Sequence, residues 1–311
     1  MLCLIYTRCG GPPSFRVQGS MRIAVAVLLL VLSGCAEPSR SEKMSHLERD
    51  LRLASQREAP GVRLSLWLAQ ADGRELLAID AARPLPGASV LKILILVEAH
   101  AQSLERSFQW TDNHTLTDAD VVGGTGSFQR EPRGSSWTYL QYARRMIAES
   151  DNTAANILLR RLGMDKVNAR AAALGMTSTR FEREFMDFDA QRDGRENVTT
   201  AREIGTLMGS ILRREILNPQ ACDDMITLLE RTTRGRIATG VPKEIPVGHK
   251  SGTLAGFRHD VGWVRVPGRP YILSVFLSNV YERPAGEDDR GVAAIDAIGR
   301  VVFAAVGPTE E

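Results

Sequence analysis

A serine and a lysine stand three residues apart in Pro86-Gly87-Ala88-Ser89-Val90-Leu91-Lys92, and the apolar run Ile93-Leu94-Ile95-Leu96 follows them. On a helix, positions i and i+3 share a face, so the Lys92 ammonium can reach the Ser89 hydroxyl. A lysine at the mouth of a desolvated pocket can lose its proton and act as a base. Ser89 would then be a nucleophile activated without histidine. Pro86 and Gly87 mark a turn into the helix, whose first N–H groups could meet an oxyanion. By itself the pattern is cheap, because a capping serine and a snorkelling lysine produce it too.

Two more short motifs follow in order, Ser150-Asp151-Asn152 and Lys250-Ser251-Gly252-Thr253. The ordered set resembles the signature of class A β-lactamases and penicillin-binding proteins. The resemblance extends along Glu149-Ser-Asp-Asn-Thr-Ala-Ala-Asn156 and along residues 250–279, and it covers about Leu47 to Val306. It implies a small-molecule substrate, a β-lactam or a peptidoglycan-like amide, and no cofactor. Ser89 would attack the carbonyl, with Lys92 holding its proton. Ser150 would relay a proton to the departing nitrogen. Asn152 would bond both Lys92 and the substrate amide, and Asp151 would fix its loop by accepting backbone N–H bonds. Lys250, Ser251 and Thr253 would receive a substrate carboxylate, with Arg258 as a second clamp. The backbone N–H groups of Ser89 and Thr253 would form the oxyanion hole, where one lost donor typically costs ~3 kcal/mol.

One part of the pattern departs from the family. Class A enzymes carry Arg-x-Glu-Pro-x-Leu-Asn in an irregular loop, and that Glu positions the water that releases the acyl-enzyme. Here the stretch reads Arg180-Phe-Glu-Arg183-Glu184-Phe185-Met186-Asp187-Phe188-Asp189. Counting forward from Arg183 puts Phe185 at the Glu position; counting back from Asn197 puts Glu184 there. Glu184 is taken as the deacylation base, with Asp187 and Asp189 as runners-up; a solvated charge in a loop of charges is the plain alternative. Three functions compete. One is a class A β-lactamase acting through a Ser89 acyl-enzyme, and another is a penicillin-binding-protein-like peptidase or esterase. The third is an envelope binding domain that is acylated and stays so.

The elements that must position these groups come from both ends of the chain. Residues 62–69 and 75–79 read as strands around the turn Asp72-Gly73, and 247–252, 259–266 and 271–279 read as three more. Helical spacing covers 47–53, 137–149, 153–162, 165–174, 200–212, 219–231 and 291–306. Strands at both ends with helices between predict an α+β architecture. A five-stranded antiparallel sheet flanked by helices (47–86 and 216–311) would receive an inserted all-α domain (87–215), as in the β-lactamase/transpeptidase-like fold. Gly123-Gly124-Thr125-Gly126 lacks a preceding strand and a following Lys-Ser/Thr, so it does not read as a phosphate loop.

The N-terminus reads as an export signal. Met21-Arg22 opens it, residues 23–32 are almost wholly apolar, and Leu32-Ser-Gly-Cys35 resembles a lipoprotein lipobox. Residues 1–20 read as a mis-assigned extension, and the polar residues 36–46 as a flexible tether. Cys35 would carry lipid, placing a monomeric enzyme in the bacterial envelope with the membrane touched only through that anchor. Of the four cysteines, only Cys222 remains in the body, in a helical context that reads as core. The chain carries 39 basic and 37 acidic residues. Arg8, Arg16 and Arg22 precede Cys35 with no acid among them, so the remainder is near neutral and offers nothing to nucleic acid. His249 and His259 lack a third ligand at sensible spacing, so no metal is expected.

Overall fold

The computed structural model describes residues 39–233, 235–281 and 289–307. The extension 1–20, the signal segment 21–35 with Cys35, and residues 36–38 of the expected tether lie outside the described residues. The rest of that tether is a correction. Helix α1 runs over Arg40–Glu58, because Ser39 and Glu42 exchange reciprocal capping bonds of 2.7 and 3.2 Å. Such a capping box starts a helix even in a polar stretch.

Strands β1 (Arg63–Gln70) and β2 (Glu75–Ile79) form the first hairpin. Strands β3 (Val247–Leu254), β4 (Phe257–Val264) and β5 (Tyr271–Ser278) form a meander. All five make one antiparallel sheet in the order β2-β1-β5-β4-β3, closed where β1 pairs with β5 from Arg63↔Ser278 to Gln70↔Tyr271. Alternation along the strands builds two cores, as period-two geometry requires. Leu64, Leu66, Leu68, Leu273, Val275 and Leu277 belong to one. Leu47 and Leu51 of α1 join it, with Ile295, Ile298 and Val302 of the last helix, α9 (Arg290–Val306). Trp67, Ala69, Ile272 and Phe276 belong to the other, with residues of the intervening helices.

Between the two halves lie α2 (Lys92–Leu104), α3 (Tyr139–Ala148), α4 (Asn152–Leu162), α5 (Met164–Ala173), the short α6 (Phe188–Arg192), α7 (Ala201–Leu212) and α8 (Pro219–Leu229). Every residue of α2 from Lys92 to Gln102 is buried, as befits a helix apolar on all sides. Two of its polar exceptions pair with each other, and Glu98 also takes a charge from outside: Glu98 accepts from Arg170 at 2.8 Å and from Gln102 at 2.9 Å. Helix α7, which the sequence places in the helical insert, packs across the sheet through its glycines. A Cβ at Gly205 would stand 2.5 Å from the Trp67 ring and 3.2 Å from Ser274. Gly205→Val should therefore destabilise the fold by about 1–3 kcal/mol through overpacking. Denaturant unfolding should show a lowered midpoint with an unchanged slope.

Candidate active site

Ser89 does not sit on the α-helix that the spacing predicts, but on a 3-10 turn, Ala88–Leu91, that leads into α2 at Lys92. Ala88 holds a left-handed φ of 47°, an uncommon conformation for a residue with a Cβ. Strand β3 lies against this turn at Gly252, where a Cβ would meet Ala88 and Val90 at 3.2 Å and the Gly87 carbonyl at 3.3 Å. Glycine is required there because the strand must approach this closely to bring Thr253 beside Ser89.

The segment after α3 supplies the third wall. Asp151 caps α4, one carboxylate oxygen accepting Ala154 N–H at 2.9 Å and the other Phe128 N–H at 2.8 Å. Opposite it runs the glycine loop, whose role is steric. A side chain at Gly126 would overlap the Asp151 carboxylate, and one at Gly124 would stand 2.6 Å from Asn152 Nδ2. Both glycines have positive φ, 84° and 108° in chain order. Ser150 is also left-handed, at 57°.

These segments bring Ser89, Ser150, Asn152, Lys250, Ser251 and Thr253 to one cleft of about 410 Å³. Lys92 lies behind it, fully buried. Its ammonium nitrogen donates to the Ser150 carbonyl at 2.5 Å, Asn152 Oδ1 at 2.8 Å and Ser150 Oγ at 3.3 Å. Lys250 Nζ reaches the same Ser150 hydroxyl at 3.0 Å, so two amines converge on one oxygen. Burial and the neighbouring Lys250 hold Lys92 well below the usual lysine range. Burial also lowers Lys250, to about 7. A neutral Lys92 can accept the Ser89 proton, and a charged Lys250 can receive an anion. The acylation rate should therefore fall on the acid side as Lys92 is protonated. It should fall again above about pH 7 as Lys250 loses its charge. Stopped-flow acylation rates on either side of neutrality would check both limbs.

Four candidate site residues depart from expectation. Glu184 does not enter the cleft: its carboxylate bonds Arg160 at 2.8 Å, and Arg160 also holds Asp120 at 2.7 Å. Neither Asp187 nor Asp189 replaces it. Asp187 caps α6 through Ala190 N–H at 2.9 Å, and Asp189 pairs with Arg192 on the surface. Phe185 takes the inward position, 8% exposed, with its ring 4.7 Å from Lys92 Nζ. Asn156 fixes it by bonding its backbone N–H at 2.8 Å and its carbonyl at 2.9 Å. The order is physical, since burying a phenyl ring is favourable while an unpaired buried carboxylate is costly.

Arg258 is the fourth departure. It turns towards the start of α9, bonding Asp289 at 2.6 Å and the Leu254 and Phe257 carbonyls at 2.9 and 2.7 Å. Two arginines line the cleft: Arg183, which is paired with Glu196 at 2.8 Å, and Arg236, which bonds Thr253 Oγ1 at 2.9 Å, the Gly252 carbonyl at 3.2 Å and the His259 carbonyl at 2.6 Å. Nothing in the local sequence of Arg236, an arginine in a turn after α8, distinguishes it from the other arginines there. Among the described residues no group of three His, Cys, Asp or Glu side chains could hold a metal. Cys222 is buried, its thiol donating to the Ile216 carbonyl at 3.1 Å.

A helical lobe seated on an antiparallel sheet, with serine and one lysine in the cleft between them and a second lysine buried behind it, defines a serine acyl-transferring enzyme of the penicillin-recognising class. The profile of the β-lactamase enzyme family matches residues 46–306, and the chain belongs to that family as a serine hydrolase of the class A type. A β-lactamase of Streptomyces albus G is 30% identical over 81% of this chain and 83% of its own. The structure of a β-lactamase from Sphaerobacter thermophilus superimposes with a TM-score of 0.75 at 26% identity, covering 83% of this chain and 96% of that one. PBP-A superimposes with 0.73 at 26% identity, covering 83% and 94%. A point mutant of PBP-A, solved as an acyl-enzyme complex with penicillin G, superimposes equally well at 0.73 with 27% identity, covering 83% and 95%.

Proposed function

We propose that Ser89, activated by Lys92, opens the amide of a β-lactam to form an acyl-enzyme, and that release of this acyl group is the slow step. In this reading Ser150 carries the proton to the departing nitrogen and Asn152 orients the substrate amide. The backbone N–H groups of Ser89 and Thr253 receive the oxyanion. Lys250, Ser251 and Arg236 bind the substrate carboxylate.

The observation that carries the reading is the Phe185 ring over Lys92. A class A enzyme uses a carboxylate there to activate water, and a phenyl ring can neither accept a proton nor hold that water. Carboxylates do line the cleft, but they are engaged: Glu149 takes Ser127 N–H at 3.0 Å, and Glu196 takes Arg183 at 2.8 Å and Gln191 at 2.9 Å. The same ring favours a second reading, a penicillin-binding-protein-like peptidase or esterase whose acyl group passes to an acceptor other than water.

Mixing the protein with a chromogenic cephalosporin and following colour and intact mass together tests the proposal. One equivalent of adduct with a colour burst and a slow steady rate supports it. Steady turnover with no adduct overturns the slow-release step, and neither colour nor adduct overturns the β-lactam substrate. The wider reading is an exported monomer, lipidated at Cys35 and facing the periplasm, which palmitate labelling and its loss in Cys35→Ala would test.

A further inference from the structure

Arg236 has a left-handed backbone, φ 52°, which a long side chain adopts only when its surroundings impose it. A buried ionic pair beneath the cleft bonds the chain on either side of it. His249, beside Lys250 on β3, places Nδ1 2.9 and 3.1 Å from the two carboxylate oxygens of Asp260 on β4, and Nε2 3.0 Å from the Thr233 carbonyl oxygen. Both ring nitrogens therefore face acceptors. A neutral imidazole has a single N–H and would leave one lone pair against another, so only the imidazolium satisfies both contacts. The partners are 4% and 0% exposed, and each charge is the other's compensation. Asp260 Oδ2 also accepts the Ile237 N–H at 3.2 Å. The pair thus grips Thr233 on one side of Arg236 and Ile237 on the other. Gly262 makes the seat, since a Cβ there would stand 2.6 Å from that of His249.

We propose that the His249–Asp260 ion pair is the device that holds Arg236 in the carboxylate subsite, and that loss of the His249 proton releases it. The proposal rests on the reading above that this cleft binds a carboxylate. His249 and Asp260 are positioning residues: His249 closes the floor of the cleft with both ring nitrogens already engaged by Asp260 and the Thr233 carbonyl.

Burial would push His249 down, but Asp260 beside it and the Thr233 carbonyl raise it above the ordinary histidine value. Lys250 on its own strand opposes this. Arg236 in turn faces Asp260, Asp289 and Asp296, with Arg258 as the nearby like charge. The sign follows: the imidazolium persists below the raised value and is lost above it, so carboxylate affinity declines on the alkaline side. Lys250 also loses charge near 7, so a wild-type rate profile alone does not separate the two groups.

The test has two arms. Nitrogen-15 NMR of the wild-type protein should show His249 with both ring nitrogens protonated at neutral pH; a neutral tautomer there overturns the proposal, whether or not any variant folds. Stopped-flow acylation, resolved into a dissociation constant and a limiting rate, is compared for a β-lactam carboxylic acid and its methyl ester. His249→Gln should weaken binding of the acid about tenfold, as loss of one charge-assisted contact would. The ester and the limiting rate should change little, and the Lys250 limb should remain. If Arg236→Ala lowers the acid-over-ester preference and His249→Gln does not, the positioning role is wrong. If Arg236→Ala itself leaves that preference intact, the carboxylate reading fails and the proposal with it.

Discussion

Ser89→Ala is expected to abolish the covalent adduct and reduce β-lactam consumption by at least about 10³-fold, the scale on which a removed nucleophile silences a hydrolase. The fold should be unaffected, because Ser89 is half-buried at the cleft mouth and its hydroxyl fills no core position. Intact-mass spectrometry after incubation with penicillin, beside a thermal melt, reads both outcomes. A variant that still gains the mass of the drug would move the nucleophile elsewhere, with Ser150, whose hydroxyl both lysines reach, the first candidate.

Phe185→Glu is expected to shorten the life of the acyl-enzyme by about 10²-fold, the lower range for a positioned general base. The ring lies 4.7 Å from Lys92 Nζ, and Asn156 fixes the backbone of residue 185 from both sides. A carboxylate placed there would inherit the position in which water could be activated. It would also raise the Lys92 pKa by its charge, so the acylation optimum should move to higher pH while release accelerates. Following adduct decay after removal of free drug separates the two steps. An unchanged lifetime would mean that the loop geometry, rather than the missing base, limits release.

The second expectation turns on the one stretch that the sequence left open. Motif order was sufficient for the cleft because each motif carries its own local geometry. Ser150 and Asn152 both reach Lys92, and Lys250 meets them at Ser150. The sheet was legible because its strands alternate or run apolar at the chain ends. The loop at 183–189 was not, because a register shift of one residue exchanges Glu184 for Phe185 with no change in composition. What decides the register is tertiary: Arg160 lies outside to receive Glu184, and Asn156 inside to receive the backbone of Phe185. Arg258 misled for a similar reason. Its place on β4 suits a clamp, but Asp289, thirty-one residues later, pulls the side chain away. Neither Arg236 nor the His249–Asp260 pair has a local signature, since each depends on residues that meet only across strands or turns.

The pairing of β1 with β5 joins Arg63 to Ser278 across most of the chain. While the polypeptide is being synthesised, the first hairpin waits without its neighbour until nearly nine-tenths of the residues have emerged. Contacts of such long sequence separation form slowly, because the loop must close before any pairing rewards it. Ser89, carried on the earlier part of the chain, is therefore without the wall that Thr253 gives the same cleft until the later strands arrive. A chain cut short before β3 should lack one wall of the cleft and fail to form the acyl adduct.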